Sequence, residues 1–166
     1  MRLNRNFDRL LYLMIAVLVI WLDRLTKQIA VDRFNLGEVY DVMPGFNLVL
    51  VLNQGAAFGF LAHAGGWQRW FFVTVGIVLS VVIVITLLRK EAGIWYFRLG
   101  LALILGGAVG NIIDRVLQGY VIDFVDLHWH SWHWPAFNIA DVAISMGAVA
   151  VLLDVFSSKR TMPRTP

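Results

Sequence analysis

The 166-residue chain contains no cysteine. Disulfides, thiolate metal sites and a cysteine nucleophile are therefore excluded, and the redox compartment leaves no trace in the sequence. Charge is scarce as well: Asp, Glu, Lys and Arg make up 15% of the residues, against about a quarter in a soluble domain. With 59% apolar residues and a mean hydropathy of +0.71, the chain falls in the membrane class before any motif is read. The net charge of +3 and pI near 9.6 would suit a nucleic-acid partner, but the basic residues form no stripe. They sit between apolar segments, where they report topology instead, and no nucleic acid is expected.

What is present is a set of long apolar runs. Four are long enough to cross a hydrocarbon core of about 30 Å, which takes about 20 residues. They run roughly over 10–31, 70–88, 97–117 and 137–156, and the whole chain 1–166 reads as one integral-membrane domain. The first follows Arg2, Arg5 and Arg9 like the start of a secretory signal, but it continues past Trp21 and three further spans follow, so it reads as a retained helix. Residues about 35–60 have another texture. Apolar and polar residues alternate through Glu38–Val42 and on through Phe46–Leu52, punctuated by Pro44-Gly45, which predicts a small β-element on the membrane surface. The fold class expected is membrane α-helical, with four transmembrane helices and an outer-facing β-element between the first two. His63 to Trp67 reads as a loop or short interfacial helix.

Orientation follows from Lys and Arg. The N-terminal tail, the loop with Arg89, Lys90 and Arg98, and the tail with Lys159, Arg160 and Arg164 carry most of the positive charge. The positive-inside rule puts both termini and the middle loop in the cytoplasm, and the 35–60 segment and the Trp-rich loop 118–136 outside. In that topology Asp23, Lys27, Asn111, Asp114, Arg115, Asp123, Asn138 and Asp141 all fall near the outer surface. Ionisable groups at membrane depth are costly and point to function. A small proton-coupled transporter or channel subunit is the alternative reading, but it needs ionisable groups at the midplane and toward both faces. Here they crowd one end.

Within this cluster, Asp23 and Lys27 are four residues apart, in the favourable order for an ion pair. They either neutralise each other near the interface or hold the first helix against a site. Gly106 and Gly110 form a small-xxx-small face for close helix approach. Asn111, Asp114 and Arg115 follow on one flank, as a structural clamp or as site support, with Arg115 offering its fork to a carboxylate or a substrate carbonyl. Asn138 and Asp141 share a face at the start of the last helix, where the helix dipole favours negative charge. If Asp123 folds back over that turn, the two carboxyls share one proton. The ionised member can then act as general base on water, and the protonated one as general acid. Asn53-Gln54-Gly55-Ala56-Ala57-Phe58-Gly59 reads as a turn open to close backbone approach. Asp126 reads as a solvated surface acid. The His128–Trp134 run matches no tetrahedral metal template and reads as an interfacial aromatic belt.

Five blocks carry a resemblance: Asp23…Lys27, Asn53-Gln54-Gly55-Ala56-Ala57-Phe58, Gly110-Asn111-Ile112-Ile113-Asp114-Arg115, Val121-Ile122-Asp123-Phe124 and Phe137-Asn138-Ile139-Ala140-Asp141. In this order they resemble lipoprotein signal peptidase, also called signal peptidase II, over residues of about 10–155, with no departure at the motif positions. The resemblance implies an aspartic endopeptidase of the bacterial cytoplasmic (inner) membrane. Its substrate is a diacylglyceryl-modified prolipoprotein, cut just before the lipidated cysteine. It also implies Asp123 and Asp141 as the catalytic pair, and Asp23, Lys27, Asn53, Gly55, Asn111, Asp114, Arg115, Asn138 and Ala140 as substrate-binding or supporting positions. No metal or organic cofactor is implied, the β-element is similar to a cradle for the substrate peptide, and globomycin is the family's inhibitor. Membrane lipids are the other expected partner, and four helices around one site suit a monomer.

Overall fold

The computed structural model describes residues 5–55, 61, 65–89 and 94–158. Residues 56–59 of the turn motif, His63, Lys90, Arg2 and the C-terminal Lys159, Arg160 and Arg164 lie outside them. Among the described residues are four long helices: α1 (Arg5–Arg33), α2 (Trp67–Leu88), α3 (Trp95–Gln118) and α4 (Ile139–Ser158). Strands β1 (Val39–Met43) and β2 (Phe46–Asn53) follow α1, and β3 (Val121–Trp129) and β4 (Trp132–His133) separate α3 from α4.

Each expected apolar segment is a helix, but the four are not equivalent. α2, α3 and residues Ile139–Phe156 of α4 are long and apolar enough to cross a membrane. Their apolar side chains face outward as much as inward: Val78, Val82, Val149 and Leu153 are all more than half exposed. Such a surface suits hydrocarbon, not water. α1 is longer, at 29 residues, but carries Asp23, Arg24 and Lys27 in its second half.

α3 is the central helix, packed against α1, α2 and α4. Glycine makes this possible on two sides. A methyl group on Gly106 would meet Val19 Cβ at 2.6 Å, and one on Gly110 would meet Asp23 Oδ2 at 2.6 Å, so the expected small-xxx-small face receives α1. The neighbouring Gly107 faces α4, where an added Cβ would collide with the carbonyl oxygen of Ala140. Backbone cannot swing aside as a side-chain tip can. Gly107→Val should therefore lower stability by at least roughly 1–3 kcal/mol, read as a fall in the thermal midpoint in detergent. An unchanged midpoint would mean that α3 and α4 do not pack this closely.

The sheet departs from the sequence reading. β1 and β2 form the expected hairpin around Pro44-Gly45, but the sheet has four antiparallel strands in the order β1-β2-β3-β4. Its second half comes from the 118–136 segment, read above as a Trp-rich loop. Gly119 makes this possible: at φ 88° it ends α3 in the left-handed conformation and donates its N–H to Arg115 O. The chain then turns back, and β3 runs antiparallel to β2 with Val51 opposite Asp123 and Asn53 opposite Val121. A second difference is small: α4 starts at Ile139, not Phe137, because Phe137 pairs through its backbone with Val125.

Candidate active site

Three elements converge where β3 crosses the ends of α3 and α4. Asp123 lies on β3 and is 1% exposed. Its Oδ2 accepts a hydrogen bond from Asn53 Nδ2 (3.0 Å), its diagonal neighbour on β2, and its Oδ1 accepts from Asn138 Nδ2 (2.6 Å). Asp141 is the third residue of α4. Its Oδ2 accepts from the Asn138 backbone N–H (3.2 Å), while Asn138 Oδ1 accepts from the Asp141 N–H (3.0 Å). This is a reciprocal capping box built from Asn and Asp. The N-x-x-D spacing was visible in the sequence as a helix-start signal, though it was read only as a shared face.

The two asparagines that bridge the carboxylates have fixed orientations. Asn138 uses its oxygen to cap α4, so its NH₂ must face Asp123. Asn111 Oδ1 accepts from Lys27 Nζ (2.9 Å), so its NH₂ faces Asp141 Oδ1 (2.9 Å). Asn138 Nδ2 also lies 3.3 Å from Asn111 Oδ1, closing the chain between the two acids. An ammonium can only donate. Lys27 therefore sets the orientation of an amide that touches Asp141.

Lys27 belongs to a buried ion cluster on the other side of Asn111. Its ammonium donates to Asn111 and forms ion pairs with Asp23 Oδ2 (2.7 Å) and Asp114 Oδ2 (2.8 Å), and all three charged residues are at most 1% exposed. Asp114 Oδ1 pairs with Arg24 Nη1 at 2.6 Å, which balances two acids with two bases. Arg24 had drawn no attention in the sequence; its signal was a third charge at the depth of Asp23 and Lys27. The other oxygen of Asp23 accepts the Ala140 N–H (2.9 Å), stitching α1 to the first turn of α4. Ala140 is fully buried, and its methyl leaves room for Gly110. Asp23, Lys27, Asp114 and Ala140 thus hold the site without lining its cavity.

The cavity itself, about 560 Å³, is lined by Asn53, Gly55, Asn111, Arg115, Asp123 and Asp141 on its polar side. Its apolar side is formed by Trp134, Phe137, Val142 and Met146. This size and mixture suit an amphiphilic ligand. Arg115 donates from Nη2 to Gly55 O (2.9 Å) and lies over the Phe72 ring, while Gly55 N–H donates to Asn53 Oδ1 (2.9 Å). The Arg115 fork braces the turn that presents Asn53 and pairs with no carboxylate among the described residues. Burial, and then the charge of Asp141, push Asp123 up to about 7, against the pull of its two amide donors. Two carboxyl groups, one ready to hold a proton at neutral pH, face the same cavity. That arrangement can activate a water and protonate a leaving group.

Asp126 is a correction. It is 7% exposed, not solvated: β2 places Asn47 directly opposite, and Asn47 Nδ2 donates to it at 3.0 Å. His133 Nδ1 lies 2.9 Å from both of its oxygens, and the His133 ring stacks on His128 across the β3–β4 hairpin. Trp129 and Trp132 project outward from the same hairpin, and Trp134 just beyond it lines the cavity.

The model of the signal peptidase II family matches residues 15–157. The lipoprotein signal peptidase of Paraburkholderia phytofirmans is 55% identical over 144 residues, covering 86% of this chain and 83% of that protein. The lipoprotein signal peptidase of Burkholderia thailandensis is 52% identical over 143 residues, covering 86% of each. Two solved structures described as bacterial membrane enzymes also superimpose. The one at 2.3 Å has a TM-score of 0.82 at 28% identity, covering 93% of each chain, and the one at 1.9 Å scores 0.75 at 30% identity, covering 87% of this chain and 91% of that one. With a family model matched along most of its length and relatives above half identity, the chain belongs to the signal peptidase II family.

Proposed function

We propose that this chain removes signal peptides from diacylglyceryl-modified prolipoproteins as an intramembrane aspartic endopeptidase, with Asp123 and Asp141 as its catalytic pair. The observation that carries the reading is the shared cavity: two carboxyl groups, each held by asparagine donors, beside an apolar wall of Trp134, Phe137, Val142 and Met146. In the resting site Asp123 holds the shared proton, favoured by its burial. Asp141, at the positive end of α4, is the base. It takes a proton from water as the oxygen attacks the scissile carbonyl, while Asp123 gives its proton to the carbonyl oxygen. As the C–N bond breaks, Asp141 passes the proton it took from water to the leaving amine, and a hydroxyl of the intermediate returns one to Asp123, which restores the resting pair. Arg115 and Asn53 hold the turn over which the peptide lies, and the β-sheet acts as its cradle.

In the bacterial inner membrane all four helices span, α1 included, because Asp23 and Lys27 turn inward to the ion cluster. Both termini lie in the cytoplasm, the site lies near the outer face, and one copy of the chain suffices. The test is cleavage of a diacylglyceryl-modified precursor by purified protein in detergent, with mass analysis of both products. The cut should fall just before the modified cysteine. An equal rate on the unmodified precursor would sink the proposed substrate class.

The pH dependence gives a second test. The required state carries one proton on the pair, and Asp123 loses its proton as pH rises through about 7. kcat/KM should therefore fall on the alkaline side from about pH 7, and fall again in acid where the base is also protonated. A rate flat from about pH 5 to about 9 would contradict proton sharing.

A further inference from the structure

A second cavity, about 280 Å³, lies between the start of α2 and the end of α3. It is lined by Gln54, Gln68, Arg69, Trp70, Gln118 and Tyr120, with Gly66 and Gly119 at the two helix ends. No carboxylate lines it among the described residues. Arg69 spends one N–H on Val116 O (2.8 Å) and lies over the Trp70 ring at 4.9 Å, but it pairs with no acid among the described residues. Gln68 is 3% exposed; its oxygen accepts the Gly66 N–H (2.7 Å), which leaves its NH₂ without a protein acceptor among the described residues. Arg69 Nε and Gln118 Nε2 are buried donors that also lack acceptors among the described residues. α2 adds its own first-turn N–H groups, since Gly66 at φ 97° provides no side-chain cap. Among the described residues Arg69 carries the one charge lining this cavity, and the buried polar atoms left without a partner there, Arg69 Nε and Gln118 Nε2, are donors.

We infer that this cavity binds the phosphodiester of a phospholipid headgroup. A phosphodiester carries one negative charge, matching the one guanidinium, and its oxygens accept from a planar fork and from amides together. The uncapped start of α2 favours the same charge. A lipid is favoured over free phosphate because exposed apolar residues adjoin the lining residues in sequence: Trp67, Phe71 and Leu117. Tryptophan at a helix end marks headgroup depth, and chains attached to a bound headgroup would run along these residues. The site is separate from the first cavity yet shares a turn with it. Gln54 lines this one, while Asn53 and Gly55 on either side line the other.

The full chain, purified in a maltoside detergent, is titrated by calorimetry with dihexanoylphosphatidylglycerol, with inorganic phosphate and with dihexanoylglycerol. Saturable binding of the phospholipid is expected, with inorganic phosphate weaker but competing and the uncharged glyceride inert. R69Q should weaken phospholipid binding by at least about tenfold, as expected when a charge-assisted hydrogen bond is lost. Q118L, which leaves the Arg69–Val116 contact in place, should weaken it several-fold, and each variant is checked for an unchanged thermal midpoint. Binding unaltered in both variants, or equal binding of the glyceride, would overturn the site. Inorganic phosphate binding as tightly as the lipid would overturn the assignment to a lipid headgroup.

Discussion

Asp123→Asn and Asp141→Asn are each expected to abolish cleavage of a lipidated precursor, lowering kcat by on the order of 10³–10⁴-fold. The substitutions are nearly isosteric, so the protein should still insert and fold. Asn at 123 keeps an oxygen for the Asn138 or Asn53 amide but cannot deliver a proton. Asn at 141 retains one acceptor for the capping box but cannot take a proton from water. The double variant should be no worse than either single one, because the two groups perform one step together. KM should change far less than kcat. Retention of more than about a tenth of the activity in either variant, with normal thermal stability, would remove that aspartate from the chemistry.

Lys27→Met should produce the largest loss of stability. The ammonium satisfies two fully buried carboxylates and Asn111 at once. Removing it leaves Asp114 with Arg24 and Asp23 with only a backbone N–H. Breaking a buried pair from one side costs about 3–5 kcal/mol, a large share of a typical total of about 5–15. The thermal midpoint in detergent should drop by roughly 10 °C or more. Activity should fall beyond what the unfolded fraction accounts for, because Asn111 loses the donor that turns its NH₂ toward Asp141. The double variant Asp23→Asn/Lys27→Met should recover part of the stability, since it removes the orphaned charge as well. A single variant as stable as the parent would mean that the cluster is solvated. A double variant worse than the sum of the singles would mean that Asp23 serves α4 through its charge.

The difference between what was legible and what was not is physical. Helix positions follow from apolar run length, and the depth of each polar group follows from topology; both are local or one-dimensional properties. Asp23 and Lys27 met as expected because four residues along a helix fix their separation. Asp126 was misread because its partners, Asn47 and His133, are brought to it by strand pairing. β3 gave no alternation to read: five of its first six residues are buried and the other is half-buried, so apolar and acidic side chains are hidden on both faces. The 118–136 segment looked like a loop for the same reason. Its partner strand lies some seventy positions earlier, as the contact of Asn53 with Asp123 illustrates.

By itself, then, the sequence determined a helical membrane protein with polar residues gathered at one end, because hydropathy and charge placement are written along the chain. The five motif blocks narrowed the family. Only the tertiary structure decided which polar groups meet. Gly119 reverses the chain so that β3 pairs with β2 and brings Asp123 to the α4 N-terminus. Lys27 sets the orientation of Asn111, and the α4 cap that of Asn138, so that each acid receives a donor from a different helix. The bonds that join these groups across α1, α3, β3 and α4 depend on packed backbones and shared donors, which no local pattern encodes.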